Sequence, residues 1–236
     1  VGLYTEACDG IIIEENVFDN NGWIDGTPTD GHGRSVYIQN GNTGVVFRRN
    51  IVANKDGVQL RSGGEMDDNL FLHTAIAMEI PGGDQSDTYD TSGDTCFVRR
   101  NVVLDGNDLG EGAPIRPRGW ALRMRNTISG TITDNIFANN ISGGLPRAMS
   151  LEPAEGPTNL RGIHNAAFQR NIVYNWGGPV LFYPPSAEVT GVTFDQNDFQ
   201  DTGTANPLIN HDIDNTFGVT GTNNRFFSGR AAGQWF

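Results

Sequence analysis

The densest run of reactive side chains in this chain comprises Asp30, His32, Arg34, Tyr37, Gln39, Asn54, Lys55, Asp56, Gln59 and Arg61, with Glu65 and His73 following. Guanidinium, phenol and imidazole in one neighbourhood suit proton abstraction beside a carboxylate. On a uronic acid polymer that chemistry needs three groups. A cation neutralises the carboxylate so that the C5 proton becomes acidic, a base removes the proton, and an acid protonates the leaving oxygen. Arg61 suits neutralisation, and Tyr37 or His32 suits the base and acid work.

What must position these groups is legible as a repeat. Eight times an apolar, alternating segment runs into an asparagine followed by further apolar residues. The clear copies are IIIEENVF, VVFRRNIV, CFVRRNVV, TITDNIF, AFQRNIV and VTFDQNDF, and weaker ones centre on Asn69 and Asn224. Successive asparagines, from Asn16 to Asn224, are 34, 19, 32, 34, 36, 26 and 27 residues apart. A coil of twenty-odd residues with insertions at its loops gives that spread, so the chain reads as one solenoid domain over residues 1–236 with about eight coils. Stacked asparagines at one turn have a structural meaning, because their amides bond along the coil axis and satisfy turn backbone.

Each unit carries a second strand: SVYIQ, GVQLR, AIAME, ALRMR, AMSLE and VLFY. Their period of two sends Val36 and Ile38, Val58 and Leu60, Ile76 and Met78, and Met149 and Leu151 inward. Aligned on these residues, the last outward positions are Gln39, Arg61, Glu79, Arg123 or Arg125, Glu152 and Tyr183. The positions before them are Tyr37, Gln59, Ala77, Arg123, Ser150 and Leu181. Arginine forks grip carboxylates, aromatic rings cover sugar faces and amides meet hydroxyls, so this face is equipped for a linear, carboxylated, hydroxyl-rich polymer. Gln39, Gln59, Lys55, Glu79, Arg123, Arg125, Glu152 and Tyr183 are the candidate substrate-binding residues on it, with Arg116 and Arg118 beside Trp120 on a flanking insertion. The competing account is a surface ladder of ion pairs, in which Arg61 simply pairs with Glu79.

Composition narrows the partners. A net charge of −12, with Lys55 the only lysine, disfavours nucleic acid and anionic membranes, which need a basic surface. No apolar run of about eighteen residues is present to span a membrane. Val1-Gly2-Leu3-Tyr4 begins inside strand-like sequence, which suggests preceding coils or a leader. Cys8 and Cys96 lie about three repeats apart and are expected to stay unpaired, Cys96 as a buried thiol. No metal motif stands out. The acidic tract Gly82 to Asp90 with Asp94 offers oxygens without the spacing of a calcium loop, and calcium is the one cofactor it brings into question.

The asparagine units and short coils resemble the right-handed parallel β-helix of pectate-lyase-like and alginate-acting proteins, over nearly the whole chain. VQLRSGGEMDDNLF is similar to the arginine-bearing coil of chondroitinase-B-like alginate lyases, with Ser62 where that motif has histidine. Their lysine just after the preceding strand corresponds to the stretch Gln39-Asn40-Gly41. Asp30-Gly31-His32-Gly33-Arg34-Ser35 resembles the aspartate-x-histidine segment of β-helical mannuronan C5-epimerases, with Gly33 in place of the second aspartate. Both resemblances imply a secreted, extracellular or periplasmic bacterial protein that abstracts the C5 proton of an acidic polysaccharide such as alginate. Lyase and epimerase diverge afterwards.

Other readings compete. A glycoside hydrolase needs paired carboxylates, and Glu79 and Glu152 fall about three coils, or about 14 Å, apart in this alignment. A non-catalytic surface or appendage solenoid would show apolar outward ladders, of which Leu181, Phe182 and Tyr183 with Trp176 make only a small one. His73 and His164 fit turn hydrogen bonding, and His211 lies far from the cluster. The insertions 24–34, 82–95, 105–119 and 153–165 are placed to wall the polymer-binding face, and the C-terminal FFSGRAAGQWF to cap the coil end.

Overall fold

The computed structural model describes residues 1–21, 23–24, 27–28, 34–54, 56–81, 94–107, 119–141, 147–152, 162–182, 188–200, 209–211 and 218–227. Within them the chain winds into a parallel β-helix of eight coils with three faces. Sheet 1 contains, from coil 1 to coil 8, Leu3–Thr5, Arg34–Ile38, Asp56–Leu60, Ile76–Glu79, Trp120–Met124, Arg147–Leu151, Gly178–Phe182 and Ile209–His211. Sheet 2 precedes the asparagine turn, running from Ile12–Glu14 in coil 1 to Val219–Thr222 in coil 8, with Gly162–His164 and Glu188–Thr190 as extra members. Sheet 3 follows the turn and contains Val17–Asp19, Ile51–Ala53, Leu70–Leu72, Val102–Gly106, Ile136–Asn140, Ile172–Tyr174, Asp198–Gln200 and Arg225–Phe226. A two-stranded antiparallel pair, Trp23–Ile24 with Thr27–Pro28, lies off the coils. No helix long and apolar enough to cross a membrane occurs among the described residues.

The asparagine turn holds the stack in register. Each of the seven turns from Asn16 to Asn197 repeats one device: the backbone N–H and the side-chain Nδ2 both donate to Oδ1 of the next coil's asparagine, at 2.9–3.2 Å. From Asn50 onward, Nδ2 also donates to a carbonyl of the coil before, such as Ile13 O or Phe47 O. The residue before each asparagine, Glu15, Arg49, Asp68, Arg100, Asp134, Arg170, Gln196 and Asn223, takes φ of 52–61°. Eight non-glycine residues in the left-handed region are strained. The buried amide ladder over-determines that conformation, since an unpaired buried amide costs about 1–3 kcal/mol.

The core is the inside of the coil. Val36, Val58, Met78, Leu122, Met149 and Val180 form one inward row of sheet 1. Phe47, Met66, Val98, Ile132, Phe168 and Phe194 form the row of sheet 2, where Phe168 and Phe194 stack at 4.5 Å. Cys96 is buried on this sheet and Cys8 is exposed, and the two are not joined in a disulfide. Trp176, which the sequence suggested as part of an outward apolar patch, is buried in the core instead.

Insertions are distributed unevenly around the coil. The stretches 22–33, 108–118, 142–146 and 201–208 enter between sheet 3 and sheet 1, and 82–93, 153–161, 183–187 and 212–217 enter between sheet 1 and sheet 2. Sheets 2 and 3 meet at the tight asparagine turn in every coil.

Candidate functional site

The outward rows of sheet 1 are set by strand register. Tyr4, Tyr37, Gln59, Glu79, Arg123 and Ser150 occupy one level across six strands. Two residues further on, Gln39, Arg61, Pro81, Arg125 and Glu152 form the next level, tied by the backbone bonds Arg61 N–H to Ile38 O, Arg125 N–H to Pro81 O and Glu152 N–H to Met124 O. The sequence alignment had placed Glu79 in the second level beside Arg61. It belongs to the first, because the inward pair of coil 4 is Met78 and Ile80 rather than Ile76 and Met78. A period of two fixes which face a side chain takes but leaves a slip of two residues invisible.

This correction puts Glu79 at the centre of the face. Its side chain is only 1% exposed, and Arg34 Nη2 lies 2.8 Å from Oε2. Arg123 Nη1 and Arg125 Nε lie 3.3 and 3.8 Å from Oε1, to which Gln59 Nε2 donates at 3.0 Å. Burial pushes the Glu79 carboxyl up, but the guanidiniums of Arg34, Arg123, Arg125 and Arg61 together outweigh it and hold the pKa at about 2. Gly57 in coil 3 permits the close approach of coil 4, since a Cβ there would stand 2.0 Å from Ala77 O.

Arg123 also donates to Glu152 Oε2 from Nε and Nη2, at 3.0 and 2.6 Å, and its guanidinium lies 5.6 Å from the Trp120 ring centre. Trp120 is thus a buried platform beneath Arg123 and not part of a wall. Ser150 Oγ donates to Glu152 Oε1 at 2.7 Å. Glu79 and Glu152 stand two coils apart, not three, and share one guanidinium. Two strand spacings are about 9.6 Å, near the separation used by inverting glycosidases. The guanidiniums around Glu79 hold its carboxyl ionised, so Glu79 does not suit the general-acid role in such a pair.

At the coil 1–3 end, Arg61 Nη1 donates to Tyr37 Oη at 2.6 Å, and Tyr37 Oη donates to Gln39 Oε1 at 3.3 Å. Arg61 thus makes a short contact with the phenol and acts on Glu79 through its charge. Tyr4 stacks on Tyr37 with ring centres 5.6 Å apart. Tyr4 Oη donates to Glu6 Oε2 at 2.8 Å, and this hydrogen bond raises its pKa above the ordinary tyrosine value, leaving Tyr4 a stacking surface rather than a base. Sequence reasoning passed over Tyr4, although Leu3-Tyr4-Thr5 repeats the apolar-tyrosine pattern of Val36-Tyr37-Ile38 one coil later. It also gave Arg34 no role.

The face thus gathers Arg61, Tyr37, Gln39, Gln59, Glu79, Arg123, Arg125 and Glu152. His32, Lys55, Arg116, Arg118 and Tyr183 lie outside the described residues, as does most of the acidic tract 82–94. Among the described residues no group of His, Cys, Asp and Glu could hold a metal ion. His73 sits at a positive-φ turn 3.5 Å from Asp105, and His164 Nδ1 lies 2.7 Å from Thr190 Oγ1, both away from this face.

A separate open depression of about 410 Å³ lies at the asparagine turn of coils 6–8, between Arg170 and Arg225. Each of those arginines is already held by both oxygens of an aspartate, Asp134 and Asp198. The chemistry favours sheet 1. No family model matches the chain, and neither a curated protein nor a solved structure does.

Proposed function

We propose that sheet 1 binds an acidic polysaccharide and that the protein is a uronate-polymer lyase, abstracting the C5 proton and eliminating across C4–C5. The observation that carries this reading is the guanidinium–phenol contact on sheet 1, where Arg61 Nη1 donates to Tyr37 Oη at 2.6 Å. Arg34, Arg123 and Arg125 gather around Glu79 on the same sheet. A substrate carboxylate would meet Arg61 beside the phenol. Arg61 neutralises it, and the same guanidinium touches Tyr37 Oη, so charge developing on either oxygen is met by a preorganised donor. Tyr37, as its phenolate, takes the C5 proton, the released electron pair forms C4=C5 as the C4–O bond breaks, and the phenol so formed gives that proton to the leaving oxygen. The stacked Tyr4 and Tyr37 offer an aromatic surface for a sugar ring, with Gln39 and Gln59 beside it for hydroxyls.

Returning the proton to the opposite face of C5, without cleavage, would make the protein an epimerase. A third reading, a non-catalytic surface or appendage solenoid, is favoured by the apolar row on sheet 3 described below. Ultraviolet absorbance from a newly formed unsaturated uronate separates the lyase from the other two readings. The protein is incubated with alginate, polygalacturonate, chondroitin, hyaluronan and bacterial uronate polymers, with and without calcium. A rise with one polymer, abolished in Arg61→Ala, is the expected result, and a flat trace with all of them removes the lyase.

A further inference from the structure

Two outward rows flanking the asparagine turn stand apart from the face just described. On sheet 3, Val17, Ile51, Leu70, Val102, Ile136 and Ile172 occupy one outward level through coils 1–6. Val17 is 69%, Ile51 39% and Ile136 38% exposed, and the other three are half-buried. Two residues before each of them, at the left-handed turn position, stand Glu15, Arg49, Asp68, Arg100, Asp134 and Arg170, which alternate in sign without a break. In coil 7 both rows end together, with Gln196 at the turn and Asp198 on sheet 3. An unbroken aliphatic stripe of six coils is about 24 Å long at one strand spacing per coil, and soluble proteins seldom leave such a stripe to water.

We propose that this surface is an interface with a second copy of the chain, packed antiparallel about a two-fold axis perpendicular to the solenoid. Two arrangements place stripe on stripe. A two-fold along the solenoid axis carries the charged row of one copy to the far side of the partner's stripe. A two-fold across it keeps the charged rows opposite each other and reverses their order. With the axis between coils 3 and 4, coil 1 meets coil 6, coil 2 meets coil 5 and coil 3 meets coil 4. Every charged contact is then of opposite sign: Glu15 with the partner's Arg170, Arg49 with the partner's Asp134, and Asp68 with the partner's Arg100. Alternation over an even number of coils is what makes the row complementary to its own reversal. The ion pairs that these residues make within one copy, such as Arg100 with Asp68 at 2.7 Å, leave the apolar stripe to drive association and the charges to set its register. A stripe this narrow gives an interface at the small end of specific complexes, so the dimer dissociates readily on dilution.

Sedimentation velocity across a concentration series measures the assembly, and cross-linking its direction. The chain is expected to dimerise reversibly, and Ile136→Asp, with an unchanged melting temperature, to weaken the dimer at least 100-fold. In a Cys8→Ser background, Ile51→Cys and Ile136→Cys chains are expected to form a disulfide when mixed and none when oxidised separately. A chain that stays monomeric at millimolar concentration, a trimer, or a cross-link within either single variant would overturn the proposal.

Discussion

Two sets of arginine–carboxylate pairs run up this solenoid, and they do opposite things with the same chemistry. At the asparagine turn, Arg49, Arg100 and Arg170 each meet a carboxylate of the preceding coil, Glu15, Asp68 and Asp134, at 2.7–2.9 Å. These pairs are about half exposed, balanced in charge and worth little each, typically 0–1 kcal/mol. On sheet 1 the carboxylate of Glu79 is shut away at 1% exposure among four guanidiniums. Its attraction is screened far less there, and removing it would leave like charges crowded together. A balanced exposed ladder decorates or aligns a surface. A desolvated one holds guanidiniums in fixed positions around a buried carboxylate.

The largest test of that contrast removes the hub. Glu79→Ala is expected to cost about 3–5 kcal/mol in urea unfolding, as breaking a buried ion-pair network does, whereas Asp68→Ala at the turn should cost under about 1 kcal/mol. Similar losses for the two would erase the distinction.

Acid titration sharpens it. Because the folded pKa of Glu79 is about 2 against 4.5 for the free group, the stability it contributes is fully present above pH 4.5. That stability is lost as pH falls from 4.5 through 2. The shift corresponds to about 3 kcal/mol. Wild-type stability should therefore drop over that window, and a Glu79→Gln chain should drop less by about that amount. Parallel curves would place the titrating group elsewhere.

The smallest effect belongs to salt. Arg100→Ala is expected to cost no more than about 1 kcal/mol at low ionic strength and less at 1 M salt, where exposed pairs are screened. The loss in Glu79→Ala should be nearly unchanged by salt.

How much of this was legible in the sequence depends on which period carries the signal. The asparagine turn was read in full, including the weak copies at Asn69 and Asn224, because the ladder demands one residue type at one place in every coil. Strand faces were read correctly by parity. The offset of coil 4 was not, since Ile76-Ala77-Met78 and Met78-Glu79-Ile80 alternate equally well, and only the stacked backbone chooses between them. That slip of two residues hid Glu79 as the hub. The aliphatic row of sheet 3 was printed in the asparagine units themselves, in the residue after each asparagine. The sequence alone does not show that this residue points outward while its neighbours, Phe18, Val52, Phe71 and Val103, point in. Arg34 was missed as a partner of Glu79 because the ion pair spans coils 2 and 4, 45 positions apart in sequence.

The central claim, that sheet 1 removes the C5 proton of a uronate beside a carboxylate neutralised by arginine, is tested most directly by proton NMR of uronate polymers incubated with the protein in deuterated water. The account predicts loss of the H5 signal of one polymer in the wild type and its persistence in Arg61→Ala. A new vinyl H4 signal would identify elimination, and replacement by deuterium without cleavage would identify epimerisation. An H5 signal that survives in every polymer would contradict the claim and leave an assembling, non-catalytic solenoid as the better account.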